Sequence, residues 1–347
     1  LDDWKNDEDF MRELSAFEFQ RGNFSKSIKL LSDEFKDTRT ITALAKYRSH
    51  ASLLENGWIM PPSSPPSKIT KKNLIRYLVY TSLPHHGSGY ATRTHNLLRS
   101  LNRGACLIEG VTRYGYPWVD KNLQRKEVED CEIIDDIIYY RQFNEKSINL
   151  LTIEKRLIEA ADTFVEHCRV NGVPEVIHAA SNWMNGIVAC HAGRILGIPV
   201  IYEVRGRWEL TRIARDPDFR GSEHDRMIRR MEVEVANACD QVLVITTGLK
   251  KMLIDEGVDP EKITIAPNGV DTEVFQPIPR DEELADQLGI GEGPIIGYVG
   301  SLVHYEGLDL LLKAVGKLKQ EGRFSSQILI VGDGDERKKL EEMAFDE

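Results

Sequence analysis

Two apolar strands that each run into a glycine turn constrain this chain more than any other feature. Residues 262–275 read KITIAPNGVDTEVF and residues 293–310 read GPIIGYVGSLVHYEGLDL. The second turn opens a helix expected over 307–318, which sets backbone N–H groups and a helix N-terminus at the carboxyl end of a strand, a ready anion site. The same alternation fills the stretch before them. Strands are expected at 74–81, 105–111, 175–180, 199–204, 241–246 and 262–266, with helices at 91–101, 145–170, 184–196, 222–238 and 249–256. Repeated βα units of this length imply a mostly parallel, doubly wound sheet. Past a Pro-containing joint at 277–279 come a strand at 295–299, the 307–318 helix, a strand at 327–331 and the start of a helix at 336. The fold class is α/β, with two Rossmann-like units.

The division read from the sequence is a helical extension over 1–60, a Pro/Ser linker over 61–68, a Rossmann-like domain over 69–277 and a partial second one over 278–347. Within the extension, AFEFQRGNFSKSIKLL looks like one helix–turn–helix of a tetratricopeptide-type repeat. A single copy cannot bury its own face, so this is read as an added cap or a segment that binds a protein partner. The linker PPSSPPS is stiffened by proline and solvated by serine. About 70 residues are too few for a full second Rossmann domain, so the chain is expected to be C-terminally incomplete. Its start at Leu1 rather than Met suggests that residues upstream have been removed.

Charge excludes several classes. The 45 basic and 55 acidic side chains leave a net −10, which argues against a general nucleic-acid binder. No run approaches the roughly 18–20 apolar residues that span a bilayer, and no signal-peptide pattern opens the chain. Cys106, Cys131, Cys168, Cys190 and Cys239 are widely spaced with no C-x-x-C. A disulfide framework or zinc site is disfavoured, and a reducing cytoplasm fits best. Residues 203–230 carry eight arginines against six acids, a mildly basic patch usable for an anionic acceptor or the inner face of a membrane, or else a salt-bridged helix.

Four places could carry chemistry. The turn HHGSGY, with Gly87, Ser88 and Gly89, follows the first strand and could hold a polyhydroxyl or anionic ligand on backbone donors. It is not G-x-G-x-x-G and lacks a clear ribose-clamping acid, so dinucleotide binding is disfavoured. His178, in VIHAASNW, sits near the carboxyl end of a strand, where ligands approach such sheets. EVRGRWE ends the next strand. There Arg205 offers a planar fork for phosphate, beside Glu203, and Trp208 offers a stacking face. A buried Arg–Glu pair is the competing reading. Finally, Gly300, Ser301 and Glu306 line the second glycine turn, while Asp333 and Gly334 follow the next strand and could approach a base or ribose, or cap a helix.

The NGVD..F element, following CDQVLVITT, resembles the retaining GT-B glycosyltransferases of family 4, also called group 1. The likeness runs over about 73–340, with Cys239 and Thr246 where Ala and Ser are usual. It implies two Rossmann-like domains facing a cleft and transfer, with retention, of a sugar from a nucleoside diphosphate sugar to a hydroxyl acceptor. The nucleotide sugar would be a co-substrate, with no metal and no other cofactor. By resemblance, Gly87–Gly89 and Asn268 lie at the cleft, and His178 contacts the donor sugar. The aromatic loop Tyr114–Trp118 reads equally as part of an acceptor wall or as surface packing. The family's Arg and Lys of the second glycine turn are replaced here by Ser301 and Glu306. A carboxylate there would repel a diphosphate by about 1 kcal/mol or more at short range. Rival readings are a GT-B sugar-nucleotide epimerase or phosphorylase and a non-catalytic scaffold; an NAD-dependent oxidoreductase is the weakest.

Overall fold

The computed structural model describes residues 7–31, 37–119, 128–142 and 151–346. Its contacts divide the chain into two compact units, one of Leu1–Glu209 with Asp218–Asn268, the other of Leu210–Pro217 with Gly269–Glu347.

The first unit opens with helices α1 (Glu8–Gln20), α2 (Phe24–Leu30) and α3 (Thr38–Asn56), then β1 (Leu74–Val79), α4 (Gly89–Asn102) and β2 (Leu107–Thr112). A hairpin, β3 (Cys131–Ile134) and β4 (Ile137–Tyr140), follows. The βα alternation then resumes with α5 (Ile153–Asn171), β5 (Val176–Ala180), α6 (Trp183–Leu196), β6 (Val200–Val204) and α7 (Trp208–Arg215), whose residues from Leu210 onward count with the second unit. It closes with α8 (Glu223–Ala238), β7 (Gln241–Val244), α9 (Thr247–Asp255) and β8 (Ile263–Ile265). The second unit holds α10 (Glu282–Gln287), β9 (Ile295–Val299), α11 (Leu308–Gln320), β10 (Gln327–Val331) and α12 (Arg337–Asp346).

Eight strands form one sheet in the order β3-β4-β2-β1-β5-β6-β7-β8, parallel throughout except at the β3–β4 hairpin. The chain winds outward from β1 in both directions, so β1 and β5 flank the point where the winding reverses. Ligands of open α/β sheets bind at the carboxyl ends of such strands. Tyr77 of β1 stands opposite His178 of β5 in this register.

Local chemistry explains the element ends. Ser88, Thr152, Asn182, Ser222 and Thr246 accept first-turn N–H groups of α4, α5, α6, α8 and α9, as N-cap side chains do. Alternation of side chains along β1 assigns its faces. Leu78 joins the large core with Leu157, Phe164, Ile187 and Met231 of α5, α6 and α8, whereas Tyr77 and Val79 pack with Leu98 of α4 and with Tyr139.

The N-terminal helices lie on this core. Phe24 and Leu53 are part of it, and the Phe24 ring packs among Phe19, His50 and His224. Polar ties reinforce the seat: Ser25 N donates to Glu223, Trp58 N to Glu234, and Arg230 to the carbonyl of Leu54. Helices α1 and α2 form the expected helix–turn–helix, with its turn at Gly22. The linker also touches the unit, through Ser64 and Ser67 N–H bonds to the Arg194 and Leu196 carbonyls.

In the second unit β9 and β10 pair in parallel, and α11 and α12 close over them through Leu302, Leu308, Leu312 and Leu340. Asn268 ends the first unit, so the NGVD segment's remainder belongs to the second. The hairpin β3–β4, the helix α7 and the short α10 have no counterpart in the sequence reading. Helix α5 starts at Ile153, where the Thr152 side chain caps it on extended backbone, later than the start expected at 145; residues 145–150 lie outside the described residues.

Candidate functional site

The structure brings His178, Glu203 and Arg205 into one buried cluster on the α4 side of the sheet. The His178 ring stacks on Tyr77 with centroids 4.2 Å apart, and its Nε2 lies 3.4 Å from Glu203 Oε2. Glu203 accepts from Arg93 Nη2 at 2.9 Å, from Arg205 Nη2 at 3.0 Å and from the Tyr77 hydroxyl. Arg205 spends its fork inward: Nη1 donates to Thr94 Oγ1 at 2.6 Å and Nη2 also to Tyr77 at 2.8 Å. Its backbone N–H is held by Ser181 Oγ. Burial alone would raise the Glu203 carboxyl, but the polar contact from His178 and the Arg205 charge outweigh it and hold it well below the carboxylate range. For Arg205, burial is likewise outweighed by Tyr77 and Glu203, so its pKa is raised. Burial carries the Tyr77 phenol upward. The arrangement is the buried Arg–Glu pair named above as the competing reading. His178 is 7 % exposed and therefore bears on the switch point from beneath the surface.

A second ionic cluster stands next to it. Arg207, fully buried, meets Glu209 at 2.7 Å and Glu256 at 2.5 Å, and Arg229 bridges Glu256 to Asp225. Glu232 accepts from the Tyr202 hydroxyl at 2.7 Å and from Trp183 N at 3.2 Å, so it ties β6 to the first residue of α6. Burial pushes its carboxyl up to about 7, against the pull of Tyr202 and Arg207.

The turn before α4 is open to solvent. Gly87, Ser88 and Gly89 are exposed, and a Cβ at either glycine would meet nothing. Ser88 is engaged as the α4 N-cap. The preceding residues are anchored: His85 pairs with Glu132 at 3.0 Å, and Arg141 bonds Ser82 Oγ and the Leu83 carbonyl.

On the opposite face of the switch point, a cavity of about 240 Å³ opens between β1, α5 and the first turn of α6. Tyr80, Arg113, Tyr114, Gln142, Arg156 and Met184 are among its lining residues. None of these was singled out from sequence except through the aromatic loop 113–118. Arg113 and Arg156 lie some forty residues apart with no shared motif, so only the tertiary structure pairs them.

In the second unit, the loops after β9 and β10 run side by side. Gly300 N donates to the Val331 carbonyl, Leu302 N to that of Asp333, and Glu336 N to that of Leu302. The approach is so close that a Cβ at Gly332 would overlap the Gly300 carbonyl oxygen, and one at Gly334 that of Leu302. This groups Gly300, Ser301, Asp333 and Gly334 at the carboxyl ends of both strands. Glu306 is exposed on the turn before α11, and Asp333 accepts from Gly334 N. Asn268 is exposed. Among the described residues no group of three or more His, Cys, Asp or Glu could hold a metal ion, and no helix is long and apolar enough to cross a membrane.

An open parallel sheet with a polar cluster at its reversal point, followed by a second α/β unit with glycine-built loops, is the plan of GT-B glycosyltransferases. Solved structures bear this out at the level of the fold. Anabaena HepE in complex with UDP and glucose aligns over 78% of this chain and 66% of its own, at TM-score 0.54 and 16% identity. The catalytic domain of starch synthase IV from Arabidopsis thaliana, bound to ADP and acarbose, aligns over 79% and 71%, at TM-score 0.53 and 14% identity. The chain belongs to Glycosyltransferase Family 4, whose model matches residues 88–274, with glycosyl transferases group 1 following over 280–346. EpsF of Bacillus subtilis is 25% identical over 258 residues, 69% of this chain and 64% of that protein. The GDP-mannose-dependent alpha-mannosyltransferase of Corynebacterium glutamicum is 31% identical over 181 residues, 50% of this chain and 39% of its own length. The D-inositol 3-phosphate glycosyltransferase of Stackebrandtia nassauensis is 26% identical over 152 residues, 43% and 33% of the two chains. The chain thus spans less than two thirds of these curated relatives.

Proposed function

We propose that the protein transfers a sugar from a nucleoside diphosphate sugar to a hydroxyl acceptor, with retention of anomeric configuration. The observation that carries this reading is the tandem family match across both α/β units. Similarity to proteins whose names specify GDP-mannose, UDP-glucose or ADP complexes supports a nucleotide-sugar donor without choosing its base.

In this reading the second unit receives the donor. The loops at 300–303 and 332–336 present backbone groups, and the first-turn N–H groups of α11 provide positive potential for the diphosphate. Ser301 and Glu306 supply no cation there, so backbone donors carry more of the stabilisation of the leaving group. The acceptor's proton passes to the departing diphosphate, and the protein acts by positioning and electrostatics. The first unit receives the acceptor at the β1/β5 switch point. The Glu203–Arg205–Tyr77 cluster, with His178 stacked on it, holds the strand ends rigid. No metal or further cofactor enters this reading.

The test is thermal stabilisation by UDP, GDP, ADP and their sugars, followed by turnover with candidate acceptors and NMR of the product anomer. A ligand at a hundredfold excess over its dissociation constant stabilises by about 2.7 kcal/mol. Stabilisation by one base, and a product with the donor's anomeric configuration, are the expected results. An inverted product removes retention. No stabilisation and no turnover with any donor would replace the transferase reading with a non-catalytic binding role.

A further inference from the structure

The cavity on the α5–α6 face of the switch point has a charge pattern that its surroundings do not neutralise. Arg113 and Arg156 both line it, and among the described residues neither has an acidic partner. Arg113 instead lies over the Tyr80 ring at 3.7 Å and over Tyr116 at 5.4 Å, leaving Nη1 buried without a hydrogen bond. Arg156 makes its side-chain contact with the Met184 sulfur at 3.5 Å. The two guanidinium groups are near enough for the Arg113 charge to oppose that of Arg156, in addition to burial. Glu159, an acid of the neighbouring helix face, is taken by the Tyr114 hydroxyl at 3.0 Å.

Two further features point inward. Gln142 is 3 % exposed and lines the cavity, yet both its amide oxygen and its amide nitrogen lack partners. Buried polar groups are almost always satisfied, so an orphaned amide aimed into a cavity marks the place of a polar ligand. Met184 and Asn185, on the first turn of the fourteen-residue helix α6, also line it, so the positive end of that helix faces the same space. Two unpaired guanidinium groups beside a helix N-terminus are strongly unfavourable while empty and are relieved by a planar or tetrahedral oxyanion. At about 240 Å³ the space suits one sugar or polyol rather than a glycan chain.

We propose that this cavity seats the acceptor, and that the acceptor is a single sugar or polyol bearing a compact oxyanion, phosphate or carboxylate, held between Arg113 and Arg156. Gln142 reads a neighbouring hydroxyl, with amide oxygen and nitrogen serving as acceptor and donor. Tyr80 and Tyr114 form the apolar walls. The assignment rests on the transferase reading above and names the substrate class of that same site.

The experiment is calorimetric titration of the full chain with glucose 6-phosphate, glucuronate, glucose and inorganic phosphate at low and high salt. Titrations with UDP-glucose and GDP-mannose run in parallel. Wild type, Arg156→Gln, Arg156→Lys and Arg113→Gln are compared, each first shown to keep the wild-type melting profile. Expected is binding of at least one anionic hexose about tenfold or more tighter than glucose, weakened by salt. Arg156→Gln and Arg113→Gln should each lose about tenfold, which is about 1.4 kcal/mol, and Arg156→Lys should recover part of it. Preference for glucose 6-phosphate identifies phosphate as the anion, and preference for glucuronate identifies carboxylate. Equal affinity for all three hexoses, indifference to Arg156→Gln, or no binding of any anion overturns the proposal. Donor binding without anion binding sinks this inference alone. Arginine-dependent anion binding with neither donor binding nor transfer sinks the transferase reading and leaves the cavity as an anion site.

Discussion

Glu232 provides the sharpest quantitative test of the structure, because its carboxyl is buried and its pKa is raised from 4.5 to about 7. Between those values the folded state keeps a proton that the unfolded state has released. The contribution of this carboxyl to stability is therefore fully present below 4.5 and declines as pH rises toward 7, by about 1.4 kcal/mol per pH unit, or about 3 kcal/mol in total. About 2.5 kcal/mol of this falls between pH 5 and 8 by the same linkage. Glu232→Gln removes the titration and keeps the shape. The Gln carbonyl accepts from Trp183 N, and its amide donates to the Tyr202 oxygen. The variant should be slightly less stable than wild type near pH 5 and more stable near pH 8, the difference between them swinging by about 2.5 kcal/mol. Urea denaturation read by tryptophan fluorescence suits the purpose, since Trp58, Trp118, Trp183 and Trp208 all lie in the first unit. Other titrating groups cancel in the difference. A wild-type-minus-variant difference that stays flat from pH 5 to 8 would refute the raised carboxyl, and with it the tie between β6 and the start of α6.

Four further outcomes are expected. Phe24→Ala should destabilise the first unit by about 3–5 kcal/mol, because Phe24 is fully buried among Phe19, His50 and His224; a change below about 1 kcal/mol by denaturation would show that the helical layer is not part of the core. Burial lowers the neighbouring His50 from 6.5 to about 4, so the folded state resists protonation; its contribution is intact above 6.5, is lost as pH falls toward 4, and should vanish from the pH profile of His50→Gln. Arg205→Ala should cost about 1.5–3 kcal/mol by removing one of the two guanidinium partners of Glu203, with part of the loss recovered in the double variant with Glu203→Gln; strict additivity in that double-mutant cycle would show that the pair is not coupled. Gly332→Ala should force apart the loops after β9 and β10, costing about 1–3 kcal/mol and abolishing nucleotide stabilisation, and unaltered UDP or GDP binding would remove those loops from the donor site.

Much of the architecture was legible because it is written locally. The βα alternation, the strands at 295–299 and 327–331 and the helices expected at 91–101, 184–196 and 222–238 follow from side-chain period, whereas the caps at Ser88, Asn182 and Ser222 came only with the structure. The β3–β4 hairpin escaped notice because CEII and IIYY are short and joined by Asp135–Asp136 at positive φ, a turn without glycine. Strand order is equally invisible. It takes the sheet to place His178 beside Tyr77 and to make β1/β5 the reversal point.

The candidate residues divide along the same line. The residue types at His178, Glu203 and Arg205 were readable as candidates at strand ends. That the arginine turns inward, to Thr94, Tyr77 and Glu203, was decided by α4 packing over the strand ends. Likewise the sequence alone determined two Rossmann-like units, a net negative charge and a glycosyltransferase-like order of motifs. Only the tertiary structure decided that Arg113, Gln142 and Arg156 share a cavity and that Glu232 keeps its proton toward neutral pH. The reason is physical: period and capping act over a few residues, whereas charge compensation and desolvation depend on what lies within a few ångströms in space, whatever the distance along the chain.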